Sequence, residues 1–124
     1  MVASRVLCLI ALLALPTEAA TRVRVQSVTV AGLAYHQGAA VWSQLKIGDA
    51  LSLVHEADNA HDAWAVRVDW QGRTLGYLPR EQSAPIAAAL DHGRRLTARI
   101  AQLREHPNPR ERILIEVFVE LQTP

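Results

Sequence analysis

His55-Glu56-Ala57-Asp58-Asn59-Ala60-His61-Asp62-Ala63-Trp64-Ala65-Val66-Arg67-Val68 reads as the end of one strand, a tight polar turn and the start of another strand. Asn59 and Asp62 carry short acceptor side chains that bond nearby backbone N–H groups and hold such a turn in shape. After the turn, Trp64, Val66 and Val68 alternate with Ala65 and Arg67, the period-2 pattern of a half-buried strand over 63–70. Gln71-Gly72-Arg73 then predicts a hairpin turn into a strand over 74–78 that Pro79 closes.

Working outward from this core, residues 21–31 form a first strand. Val23 and Val25 share one phase and Val28 and Val30 the other, so a bulge is expected near Gln26-Ser27. A glycine-bracketed loop, Gly32 to Gly38, presents Tyr35 and His36. Val41 to Leu45 suits a helical turn, and Leu51, Leu53 and His55 alternate along a second strand. Downstream lies one well-formed helix: Ser83 is a suitable cap, Pro85 fits a first turn, Ile86, Ala89 and Leu90 share a face, and Gly93 marks the stop. Residues 94–103 make another strand, His106 to Pro109 a turn, and Ile113 to Leu121 the clearest alternation in the chain. Val66, Val68, Ile115, Val117 and Val119 are the expected core. The prediction is mainly β: a small six-stranded barrel of OB or SH3-like type with one or two short helices. The connections between early strands are too short for the crossovers of a parallel sheet.

A length of 124 residues, 50% hydrophobic and 20% charged, accommodates one small domain. Residues 1–20 stand apart from it. Arg5 precedes an apolar run from Val6 to Leu15, Pro16 breaks the run, and the small residues Thr17 and Ala19 follow, as in a cleavable signal peptide. The expectation is a leader over 1–20, a domain over 21–124, and a secreted or periplasmic product with no membrane span after processing. Cys8, inside the leader, is the only cysteine, so a chain cleaved after Ala19 or Ala20 has no disulfide, thiol nucleophile or cysteine zinc site. Arg5 and Glu18 leave together, which keeps the net charge at +1 and demands no polyanionic partner.

The bare chemistry is sparse. His55 and His61 flank Glu56, Asp58 and Asp62, but no recognised zinc spacing is present, and no metal or other cofactor is assigned. No nucleophile elbow surrounds Ser27, Ser43, Ser52 or Ser83, and no glycine loop is built to cradle a phosphate. A non-catalytic binding module is therefore expected. Tyr35 is available to stack on a base, and the arginines at 22, 24, 80, 94 and 95 to meet phosphates.

The ordered set Val30-Ala31-Gly32-Leu33-Ala34-Tyr35-His36-Gln37-Gly38, Leu51-Ser52-Leu53, Glu56-Ala57-Asp58-Asn59-Ala60-His61-Asp62, Ala65-Val66-Arg67-Val68 and Leu75-Gly76-Tyr77-Leu78-Pro79 resembles the HIRAN domain family over about residues 28–120. The resemblance implies a small β-barrel, found on remodelling helicases and as stand-alone bacterial proteins. In the helicase-attached members it captures the 3′ end of single-stranded DNA. Carried over by position, it implies that Tyr35 stacks on a base and that Asp62 bonds the terminal hydroxyl with Asn59 beside it. His36 and His61 complete the implied nucleic-acid site. Ala34 stands where those relatives have Arg, and His36 and His61 where they have Tyr. Two partners follow: single-stranded DNA ends, or, given the expected export, an envelope protein or peptide in the equivalent groove.

Overall fold

Ile113, Ile115 and Val117 are fully buried while the residues between them are only partly so, the alternation of a strand with one face on the core, and Ile113–Leu121 is paired along both of its edges. The structure is a computed structural model that describes residues 21–33 and 36–121. The leader expected over 1–20 lies outside the described residues. The strands are β1 (Thr21–Thr29), β2 (Ala50–His55), β3 (Val66–Trp70), β4 (Arg73–Tyr77), β5 (Leu96–Leu103) and β6 (Ile113–Leu121), with α1 (Gly38–Val41) and α2 (Arg80–Asp91) between them. All pair antiparallel in one sheet, in the order β1-β6-β5-β2-β3-β4.

The six antiparallel strands and two short helices are those expected of a small OB-like fold, and the curved sheet is not closed by a full ladder. Its two edges meet at one point only. Ala31 N–H donates to the Tyr77 carbonyl at 2.8 Å, and Tyr77 N–H donates back to Ala31 at 2.9 Å. Gly76 permits the approach, because a Cβ there would collide with the Ala31 carbonyl oxygen and the Val30 side chain.

Two local features follow the sequence reading closely. The β1 register slips between Arg24 and Gln26, where the change of valine phase places a bulge. Trp70 pairs with Arg73 across Gln71 and Gly72, both at positive φ (48° and 77°), the two-residue turn whose twist matches a hairpin.

Three expectations need correcting. The helix starts at Arg80, with Pro79 as its N-cap, rather than at Ser83. Pro79 fixes its own φ and opens the helix directly from the end of β4. Ser83 is consequently inside the helix, buried, its hydroxyl donating to the Arg80 carbonyl, and Pro85 removes one interior helical hydrogen bond. Val119 is half-buried instead of central, because its β1 partner Val23 lies at the exposed end of the sheet. Trp64 is exposed, and its displacement from the strand belongs to the polar turn described next.

Candidate nucleic-acid interface

The turn between β2 and β3 is held by its own side chains. Asn59 Oδ1 accepts the backbone N–H groups of His61 (2.9 Å) and Asp62 (3.1 Å). Asp62 Oδ1 accepts the N–H of Trp64 at 2.9 Å, while the Asp62 carbonyl accepts from Ala65 N–H at 3.1 Å. Residues 62–65 thus close a second turn before the strand begins. This turn, not the strand pleat, sets the direction of Trp64, so β3 starts at Val66, three residues later than expected.

Beneath the turn sits a charged cluster. Glu56 Oε1 accepts from Tyr77 Oη (2.8 Å) and Asn59 Nδ2 (3.1 Å), and Oε2 accepts from Arg67 Nη1 (2.9 Å). Arg67 also grips Asp69, with Nε 2.9 Å from Oδ1 and Nη2 3.0 Å from Oδ2. Partial burial pushes the Glu56 carboxyl up, but the bonds from Tyr77, Asn59 and Arg67 outweigh it and hold the group below the ordinary carboxylate value. Burial, and then the bond to Glu56, push the Tyr77 hydroxyl up, so it remains a donor.

Tyr77 joins the two halves of the site. Its backbone bridges Ala31, at the entrance to the 32–37 loop, and its ring lies 5.1 Å from the His36 ring, tilted by 58°. Gln37 N–H donates to the Thr74 carbonyl at 2.9 Å and fixes the loop's exit on β4. Leu33, near the start of the loop, lines a cleft of about 510 Å³ with Trp42, His106, Pro107 and Arg112.

Of the five residues expected in the site, His36 and Asn59 are connected through Tyr77 and Glu56. His61 and Asp62 share the turn with Asn59, and Arg80 joins them from the first residue of α2. Its guanidinium donates to the His61 carbonyl, and its Nε lies 3.7 Å from Asp62 Oδ2. Tyr35 lies outside the described residues. Sequence reasoning offered Arg80 for phosphate contact but missed its contacts with His61 and Asp62. It gave Glu56, Arg67 and Tyr77 no role beyond membership of the motif, and the antiparallel pairing of Arg67 with Tyr77 brings those three together. Among the described residues, no three histidine, cysteine or carboxylate groups are arranged to hold a metal ion, and no helix is long and apolar enough to cross a membrane.

His55 braces the turn from behind. Nδ1 is 2.8 Å from Asp91 Oδ1 on α2, and Nε2 is 2.7 Å from the Ala63 carbonyl. Both partners are acceptors when Asp91 is ionised, so the imidazolium, with two donors, satisfies both contacts. The bond to Asp91, then that to Ala63, raise His55 above its ordinary 6.5, against a smaller opposing effect of burial. A raised folded value means that this contribution is fully present below about pH 6.5 and is lost as pH rises through the folded pKa. Denaturant midpoints should therefore fall on the alkaline side of that titration in the native chain and not in His55→Gln. Parallel curves for the two proteins would refute the imidazolium assignment.

A curved antiparallel sheet of six strands with a side-chain-braced polar turn at one end defines a small OB-like domain. Comparison of sequences resolves which one. The family model described as the HIRAN domain matches residues 23–122, and the chain belongs to the HIRAN domain family. A crystal structure of a Lactobacillus plantarum protein superposes with a TM-score of 0.68 at 30% identity, covering 82% of this chain and 97% of that one. The crystal structure of the HIRAN domain of human HLTF gives a TM-score of 0.61 at 20% identity, covering 80% and 79% respectively, a likeness of fold. Comparison with curated proteins returns no match. HIRAN is known as a DNA-binding module, and this membership supports nucleic-acid binding by the chain.

Proposed function

We propose that the chain is a non-catalytic module that recognises single-stranded DNA at its 3′ end, with the polar turn reading the terminal hydroxyl and the 32–37 loop receiving the last base. The observation that carries this reading is the state of Asp62. One carboxylate oxygen is consumed by the Trp64 N–H, which fixes the side chain in place. The other faces Arg80 at a distance too long for a strong hydrogen bond, on a side chain that is 20% exposed. An anchored carboxylate with a spare acceptor oxygen suits a hydroxyl donor and repels a phosphate. The neighbouring Arg80 and exposed His61 keep the end of a polyanion from meeting bare negative charge.

Fluorescence anisotropy with short oligothymidylates ending in a free hydroxyl or a 3′-phosphate tests it. A charge-assisted hydrogen bond of about 1.5–3 kcal/mol corresponds to a preference of roughly 10- to 150-fold for the hydroxyl. Asp62→Asn retains an acceptor without the charge and should reduce the preference, and Asp62→Ala should abolish it. Circular dichroism first establishes that each variant is folded, since Asp62 also holds its turn. Equal binding of the two ends by the native chain, or none at low salt, defeats the reading.

A further inference from the structure

Trp64 is the only aromatic residue among the exposed large hydrophobic side chains described, and it is 50% exposed. It belongs to the polar turn by backbone as well as by sequence, since its N–H is held by Asp62, two residues away. One face of its indole is occupied. The His55 ring lies parallel to it, with centroids 5.8 Å apart and an interplanar angle of 4°. His55 in turn is fixed at both nitrogens, by Asp91 and by the Ala63 carbonyl, so the support beneath the indole has little rotational freedom. A large flat side chain is thus braced from below and left open to solvent on the other side, at the price of exposed apolar area that a structural role does not require.

We propose that Trp64 is a base-stacking platform of the polar turn, receiving an unpaired nucleobase of a single strand whose terminus lies at Asp62. This rests on the reading of the turn as a nucleic-acid site, and it assigns the stacking surface that His36 and His61, as imidazoles, supply less of. A nucleobase is the occupant that the charges favour. The indole stacks on His55, which is itself paired with Asp91, so it offers a half-exposed π-surface rather than a free cation and suits a base better than a phosphate. Two residues of chain separate Trp64 from Asp62, at most about 7 Å between Cα atoms, a spacing suited to a terminal nucleotide or its neighbour.

The test uses the full chain and fluorescence anisotropy with the same pair of oligothymidylates. Trp64→Ala should weaken binding of both ends about tenfold or more, as loss of one stacked base does, and leave the ratio between hydroxyl and phosphate ends unchanged. Trp64→Phe should restore most of the affinity, and both variants should melt close to the native chain because the indole is half exposed. Native-like affinity of Trp64→Ala, while the native chain still discriminates the ends, overturns the platform and leaves the end-recognition reading standing. Loss of end preference in Trp64→Ala also overturns it, because the residue then acts only by shaping the Asp62 turn. Absence of single-strand binding by the native chain removes both readings together.

Discussion

Gly76→Ala should lower the thermal midpoint by about 12 °C or more, the equivalent of at least roughly 3 kcal/mol in a domain of this size. Gly76 sits in β4 opposite Val68, where the sheet edge meets the segment after β1. A methyl group there would run into the Ala31 carbonyl oxygen and Val30 Cγ1. The first obstacle is backbone that is itself locked by the two hydrogen bonds to Tyr77, so no side-chain rotation relieves the clash. The edges must part, and Val30, which is 1% exposed, must leave its place in the core. Gly48→Ala provides the contrast. Gly48 has φ +92° with open space around it, so only local backbone strain of about 1–2 kcal/mol is expected. Two similar melting curves would mean that the Ala31–Tyr77 junction is looser than drawn.

Arg67→Ala should cost about 2 kcal/mol in a denaturant titration, several times the effect of Arg24→Ala. Both arginines are ion-paired, but their surroundings differ. The Arg67 side chain is 31% exposed and holds two carboxylates, Glu56 and Asp69, at 19% and 15% exposure. Removing it strands both acceptors in a half-buried setting, short of the full penalty of a dry interior because water still reaches them. Arg24 is 60% exposed, and its partner Glu116 keeps Arg99, so its loss is worth about 0–1 kcal/mol. Arg67→Lys should recover little, since a point charge cannot meet two carboxylates with a planar fork. The pH dependence has a definite sign. Glu56 titrates below its ordinary 4.5 in the folded chain, so its contribution is present above about pH 4.5 and disappears as pH falls through the lower folded value. Part of that depression comes from Arg67, and the gap between native chain and Arg67→Ala should narrow in acid. A gap that stays constant to low pH would show that the loss is one of packing alone.

The sequence by itself determined the strand set, the bulge in β1, the hairpin at Gln71-Gly72 and the polar turn. Each is a local matter: side-chain period, a change of valine phase, a residue pair tolerating positive φ, or a short acceptor beside a free N–H. The family was legible for the same reason, because its motif is an ordered series of such local devices. The start of α2 was misread because Ser83 and Pro85 satisfy capping rules that Pro79 satisfies earlier, and the rules do not rank competing caps. Trp64 was misread because the strand period was carried back into a turn whose hydrogen bonds override it. Only the tertiary structure decided that the sheet stays open and touches edge to edge at Ala31 and Tyr77. It alone gathered Glu56, Arg67 and Tyr77 under the turn and set His55 between Asp91 and Trp64. These contacts join residues up to 46 positions apart, and no periodicity along a chain encodes which strand lies beside which. That is settled by how the buried faces of all six strands pack into one core.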